Sequence, residues 1–185
     1  MAAVLRKAYI LLADGFEETE AIVPYDILKR GGVDVQLVSI YDRSFVFGSH
    51  GVMVDTKQKI TDGLWSHDLI VLPGGMPGAL NLADCEKVAE ELKNANEAGK
   101  YIAAICAAPM VLGKLGLLKG KRATCYPGFE KELDGAVTTG EDVVVDGKII
   151  TAIGPGADFK FGLKLLELLT DSAKADLIKK QMILR

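Results

Sequence analysis

Histidine is almost missing from this chain of 185 residues: His50 and His67 are the only two. They are not spaced as a metal pair on a helix. Nor does either stand as an evident general base, which argues against a histidine-dependent cysteine peptidase or amidotransferase. Cysteine is nearly as scarce. Cys85, Cys106 and Cys125 are odd in number, widely spaced and without a C-x-x-C pair, so neither a disulfide framework nor a zinc site is indicated. A reducing, cytoplasmic setting fits that usage. No apolar run approaches the roughly 20 residues of a membrane span, and the opening M-A-A-V-L-R-K lacks the pattern of a secretory signal. With a net charge of −3 and no basic cluster, neither nucleic acid nor membrane is expected as a main partner. Repeats, low-complexity tracts and linkers are also lacking, so residues 1–185 read as a single domain.

What is present is a regular alternation of strand and helix signals. Ala8 to Ala13 (A-Y-I-L-L-A) is a near-continuous apolar run, the mark of a strand buried on both faces. After Asp14-Gly15-Phe16 come Glu17, Glu18 and Glu20, then a helical pattern that Gly31-Gly32 stops. Acidic residues suit a helix start, so the glutamates have a plain explanation in the macrodipole. Pro24, about one turn in, is the awkward member. A second strand covers 33–40, and 46–60 reads as a small antiparallel excursion at the sheet edge. Another buried strand, 68–72, ends in Pro73-Gly74-Gly75. A helix is expected over 85–98, a short strand over 122–125 and a hairpin around Asp146-Gly147. A helix following Gly154-Pro155-Gly156 should run to Leu169, and Asp171 should cap a last one reaching about Ile183. His67, just before a strand, is expected at the surface.

The stretch Lys100 to Pro109, K-Y-I-A-A-I-C-A-A-P, organises the rest. An apolar strand ends at Cys106, and a helical pattern follows, ending near Gly116. Ala104 and Ala108 flank the cysteine at the two-residue offset, where a tight strand-to-helix turn needs small side chains. The arrangement is that of a nucleophile elbow with a thiol in place of a hydroxyl. A helix start would favour a thiolate and lower its pKa. The plain alternative, a small buried hydrophobe, stays open from the residues alone. In an open, mostly parallel α/β sheet, sites form beyond the carboxyl ends of the strands. The glutamate cluster, Gly74-Gly75 and Cys106 all follow such ends, so they should converge.

Four motifs, A-D-G-F-E-E-T-E-A, L-P-G-G-M-P-G-A-L-N-L, A-A-I-C-A-A-P and G-P-G-A-D-F, together resemble the ThiJ/PfpI superfamily, in particular its branch of the Parkinsonism-associated protein deglycase. The resemblance runs over nearly the whole chain. It implies a flavodoxin-like three-layer α/β sandwich, a homodimer, and no metal or cofactor. It implies Cys106 as the reactive cysteine and Glu20 as the glutamate that hydrogen-bonds it. Gly75 and Ala107, with Gly74 beside them, would supply the backbone donors of an oxyanion site. A thiolate and a carboxylate in contact repel, so the pair should share one proton, with Glu20 protonated. His50 stands where close relatives often carry an arginine that reaches across the dimer, and Tyr126 where many carry a histidine. The implied activity is that of a glyoxalase or deglycase acting on methylglyoxal-type dicarbonyls or their glycated adducts. The alternative is an oxidative-stress sensor or redox-regulated chaperone working through Cys106 oxidation. Nothing in the residues supports thiamine-type chemistry.

Overall fold

A computed structural model describes residues 5–185. The first strand, β1 (Lys7–Leu12), sends Tyr9 and Leu11 to one face and Ala8, Ile10 and Leu12 to the other, all of them buried. Successive strand side chains point oppositely, so a strand covered on both faces must be apolar throughout. Helix α1 (Glu18–Arg30) follows, then β2 (Asp34–Ser39), which pairs parallel to β1. A hairpin of β3 (Phe45–Phe47) and β4 (Met53–Asp55) comes next, and β5 (Gln58–Lys59) after it. Strand β6 (Leu69–Leu72) leads to α2 (Gly78–Asp84) and α3 (Glu86–Glu97). Strand β7 (Tyr101–Ile105) leads to α4 (Pro109–Lys114). The remainder is β8 (Arg122–Ala123), β9 (Val137–Thr138), β10 (Val143–Asp146), β11 (Ile149–Ala152), α5 (Asp158–Leu169) and α6 (Ser172–Gln181).

The main sheet runs β10-β11-β7-β6-β1-β2-β5, parallel except for the β10-β11 hairpin. One face packs on α1, α5 and α6 through Ile27, Leu28, Phe161, Leu166 and Ile178. The other packs on α2, α3 and α4 through Leu82, Val88, Leu92 and Leu112. Each such buried aliphatic or aromatic side chain contributes about 1.5–3 kcal/mol. The result is the expected flavodoxin-like three-layer arrangement. Among the described residues no helix is long and apolar enough to cross a membrane.

Several local expectations change. The helix expected over 85–98 is α3, and a further helix, α2, precedes it without having been expected, separated from it by the extended Cys85 (φ −86°, ψ 111°). The 46–60 excursion does hold an antiparallel pair. It forms its own two-stranded sheet, however, and Gln58–Lys59 joins the main sheet in parallel. Strand β8 stops at Ala123 and pairs with β9, which has no clear sequence signal. Helix α4 ends at Lys114 and α6 at Gln181, each short of its expected limit. The Asp171 cap is present, its Oδ1 accepting from Lys174 N–H at 2.8 Å. Pro24 lies well inside α1, where it is buried. Helix α5 comes so close there that a Cβ on Gly162 would stand 3.2 Å from Pro24 Cα. His67 is half-buried rather than exposed: its ring stands edge-on to Tyr9 at 5.7 Å, and burial lowers its pKa.

Candidate active site

Strands β7, β6 and β1 are adjacent in the sheet, so the segments beyond their carboxyl ends meet. Cys106 follows β7 with φ 64°, a left-handed conformation that costs a non-glycine residue on the order of 1–3 kcal/mol. Backbone bonds hold it there. Its N–H donates to Ala152 O at 2.9 Å, its carbonyl accepts from Tyr126 N–H at 2.8 Å, and Ala108 N–H closes the turn onto Ile105 O at 3.0 Å. Ala104 and Ala108, the predicted small flanks, are both fully buried. Cys106 itself is half-buried. The backbone N–H groups of Ala107 and Gly75 interact with its sulfur.

Gly75 (φ 85°) turns the chain after β6 where a side chain would run into the backbone of Gly15 and Glu17. Gly74 lies between the two reacting groups. A Cβ there would stand 2.8 Å from Cys106 Cβ and 2.8 Å from Glu20 Oε2, so the thiol and the carboxyl face each other across it. Gly74 N–H donates to Glu20 Oε2 at 2.7 Å. The other oxygen, Oε1, is buried without a hydrogen-bond partner among the described residues, and the Cys106 thiol is a neighbour of the carboxyl.

The three glutamates of the first motif do three different things. Glu20 turns inward and is fully buried. Burial raises its pKa to about 8, with the charges of Asp158 and Glu17 adding, while Cys106 and Gly74 N–H work against the rise. Glu17 precedes the helix and donates its N–H to Gly74 O at 2.9 Å. Glu18 turns to the β3–β4 hairpin. It accepts from His50 N–H at 2.8 Å, and its Oε2 lies 2.8 Å from His50 Nδ1. Burial alone would raise Glu18. The His50 ring and the backbone N–H groups of Glu18, His50 and Val52 overcome that and hold it at about 2.

Cys106 departs from the expected lowered pKa. Burial first, and then the charge and hydrogen bond of Glu20, push the thiol up to about 12, against the pull of Ala107 and Gly75 N–H. The expectation considered the helix start and left out desolvation, which is larger. Two of those upward causes require an ionised Glu20. Once Glu20 holds a proton, only burial opposes the two backbone donors. The two groups therefore titrate as a coupled pair rather than independently.

His50 sits at the hairpin tip with its side chain 71% exposed. Its partners are Glu18, Glu17 and Ser49 rather than Cys106 or Glu20. The Glu18 hydrogen bond, then the two carboxylate charges, raise its pKa. Glu17, Glu18 and His50 bring one donor atom each within 4.8 Å of one another, with the His50 ring set against both carboxylates. A protonated His50 ring already supplies positive charge there. The sign of this pair is testable. Glu18 titrates below its ordinary value, so its stabilisation is complete above about pH 4.5 and is lost as pH falls toward 2. His50 contributes below its ordinary value and fades as pH rises through the raised one. Urea unfolding should therefore show Glu18→Gln less stable than wild type at about pH 6 and the gap narrowing at about pH 3. A constant gap would disprove the linkage.

Cys125 is buried, and burial pushes its thiol up to about 11, an inert environment. Asp158, the first residue of α5, was not singled out by the sequence because an acid at a helix start is ordinary. In the structure it is only 2% exposed, the Thr19 hydroxyl favours its ionised form against burial, and its Oδ1 has no hydrogen-bond partner among the described residues. No local signal could have revealed this, since the neighbours that enclose Asp158 come from the start of α1.

A mostly parallel α/β sheet with a cysteine in left-handed conformation at a strand-to-helix turn, facing a buried glutamate, defines a class of elbow-cysteine proteins. The pattern of the DJ-1/PfpI family matches residues 6–168, and the chain belongs to that family. It is 40% identical to protein DJ-1 homolog B of Arabidopsis thaliana, over all of this chain and 43% of the plant protein. It thus spans less than half the length of that relative, as it does of DJ-1 homolog A from the same plant, where the share is 48%. It is 34% identical to the glutathione-independent glyoxalase DJR-1.2 of Caenorhabditis elegans, over all of this chain and 99% of that protein. The solved structure of oxidized Toxoplasma gondii DJ-1 superposes with a TM-score of 0.92 at 37% identity, covering 96% of this chain and 98% of that one.

Proposed function

We propose that the chain is a cofactor-independent glyoxalase or deglycase, converting methylglyoxal-type dicarbonyls, or their adducts on amines and thiols, through a Cys106 thiolate. One observation carries the reading: the fully buried Glu20 carboxyl faces the thiol of a half-buried Cys106 that has two backbone N–H groups beside it. A single negative charge is better placed on the more solvated, better-donated atom, so the shared proton belongs on Glu20. That arrangement provides a nucleophile and an acid together.

In the reaction the sulfur attacks the aldehyde carbon. An S–C bond forms, the carbonyl π pair moves to oxygen, and Glu20 supplies the proton that makes the hemithioacetal. Glu20, now ionised, takes the hydrogen from that carbon as a proton, and the freed pair forms an enediolate with the neighbouring carbonyl. The hydroxyl proton passes from the first oxygen to the second, and Glu20 returns its proton to the neighbouring carbon. The first carbon is thereby oxidised and the second reduced, leaving a thioester. Water cleaves it to the hydroxy acid and the free thiol. The sum is dicarbonyl plus water, and the oxidation is internal. The N–H groups of Gly75 and Ala107 lie beside the sulfur where oxygen charge develops. Likeness to a relative named a glyoxalase supports the same reading.

Production of lactate from methylglyoxal by purified wild type, absent in Cys106→Ser, is the expected result. No lactate from wild type would refute turnover. A second reading, a redox sensor, has support in the exposure of the same sulfur and in the oxidized state named for the Toxoplasma relative. Two equivalents of peroxide would carry the thiolate to sulfinate, each reduced to water. Peroxide-dependent mass gain at Cys106 without lactate would favour it. For quaternary structure we propose a homodimer through the start of α1 and the β3–β4 hairpin, where Ile22, Phe47, Val52 and Met53 are exposed. The three free cysteines suit a reducing, cytoplasmic setting.

A further inference from the structure

Two carboxyl groups are buried where α5 packs on the start of α1, and the reaction just described uses only one. Asp158 opens α5 against the first turn of α1. It is 2% exposed, against 0% for Glu20. Among the described residues no cation pairs with either. The nearest lysines along α5, Lys160 and Lys164, turn away to Asp142 and Glu167. The groups that face Asp158 are the Thr19 hydroxyl and the Glu17 carboxylate, both from the start of α1. Glu20 is faced by Cys106 from the end of β7, Gly74 N–H from beyond β6, Glu17, and Asp158 itself. One carboxylate oxygen of Asp158, Oδ1, has no hydrogen-bond partner among the described residues. An acid placed only to suit the helix dipole would normally keep its contact with water.

We propose that Asp158 is a positioning residue: its carboxylate, enclosed beside Glu20 and without a counter-ion, holds the shared proton on Glu20 and thereby keeps the negative charge on the Cys106 sulfur. The inference rests on the proton-sharing reading given above. The logic is electrostatic. Two like charges in a low-dielectric enclosure repel strongly, so an ionised Asp158 disfavours an ionised Glu20. Its charge acts on Glu20, whereas Cys106 feels chiefly burial and Glu20. Removing the Asp158 charge therefore shifts the pair toward carboxylate and thiol, the unreactive arrangement. Burial raises Asp158 to about 6. Its charge, and with it the extra thiolate, should accordingly appear as pH rises through that value.

The test is the rate of iodoacetamide alkylation at Cys106, followed peptide by peptide to separate it from Cys85 and Cys125, from about pH 4 to about pH 9. Wild type should show a step near pH 6. Asp158→Asn should lose the step and react roughly five- to tenfold more slowly at neutral pH, a loss of about one pKa unit of bias. Asp158→Glu should restore both. Thr19→Val, which removes the hydroxyl bonded to the ionised form, should move the step to higher pH and tests the idea even if Asp158→Asn folds poorly. A purely structural Asp158 would change the melting temperature and leave these profiles alone. If wild type has neutral-pH thiolate but Asp158→Asn and Thr19→Val keep its profile, the role of Asp158 is overturned and the shared proton survives. If wild-type Cys106 reacts as an ordinary thiol, ionising near pH 8.5, both are overturned.

Discussion

Glu20→Gln is expected to lower lactate formation from methylglyoxal by about 10²–10⁴-fold, the usual loss when a positioned acid–base group is removed, while Cys106 continues to be alkylated at neutral pH. The two readouts separate because they ask different things of position 20. An amide can still accept from Gly74 N–H, a bond of 2.7 Å in the wild type. Its N–H₂ can still donate toward the sulfur, as a protonated carboxyl would. What it cannot do is take a proton from one carbon and return it to the next. Thiolate stabilisation should therefore persist and turnover should fail. Parallel measurement of kcat/KM for lactate and of the alkylation rate gives the result directly. Turnover within about tenfold of wild type would remove Glu20 from the proton-transfer step.

Gly74→Ala should cost both stability and activity. The added methyl would stand 2.8 Å from Cys106 Cβ and from Glu20 Oε2, and 2.9 Å from Ile105 O. None of these can retreat cheaply. Ile105 closes a strand in the middle of the sheet, Cys106 is held left-handed by bonds to Ala152 and Tyr126, and Glu20 is enclosed in α1. Overpacking of this kind costs about 1–3 kcal/mol. Misplacing a reacting group by about 1 Å costs on the order of 10²-fold in rate. The comparison is Gly156→Ala, where a Cβ meets nothing within 4 Å and stability should stay within about 0.5 kcal/mol of wild type. Thermal melts and lactate assays on both variants check the contrast. Equal behaviour would mean that the close approach at Gly74 is not a constraint.

Glu17, Glu18 and Glu20 read alike in the sequence, as acids at a helix start. Family likeness picked out Glu20; only the folded chain separates all three. Glu18 is tied to a hairpin more than thirty residues away, Glu17 to the turn after β6, and Glu20 to the thiol. His50 was a candidate for the site, and within this chain it pairs with Glu18 at an exposed tip. Which of several similar residues becomes functional depends on what the distant chain brings to it.

The amino-acid sequence by itself determined the layers, the strand ends and the elbow. Apolar runs, helix spacing and small flanks are local signals, carried within a dozen residues and enforced by sterics and burial wherever the chain goes. The tertiary structure decided the electrostatics. Desolvation that raises both Glu20 and Cys106, the carboxyl of Asp158 set against α1, and the closeness of Gly74 to both reacting groups arise between segments far apart in the chain. A pKa is set by what surrounds a group in three dimensions, and no spacing along the chain encodes that directly.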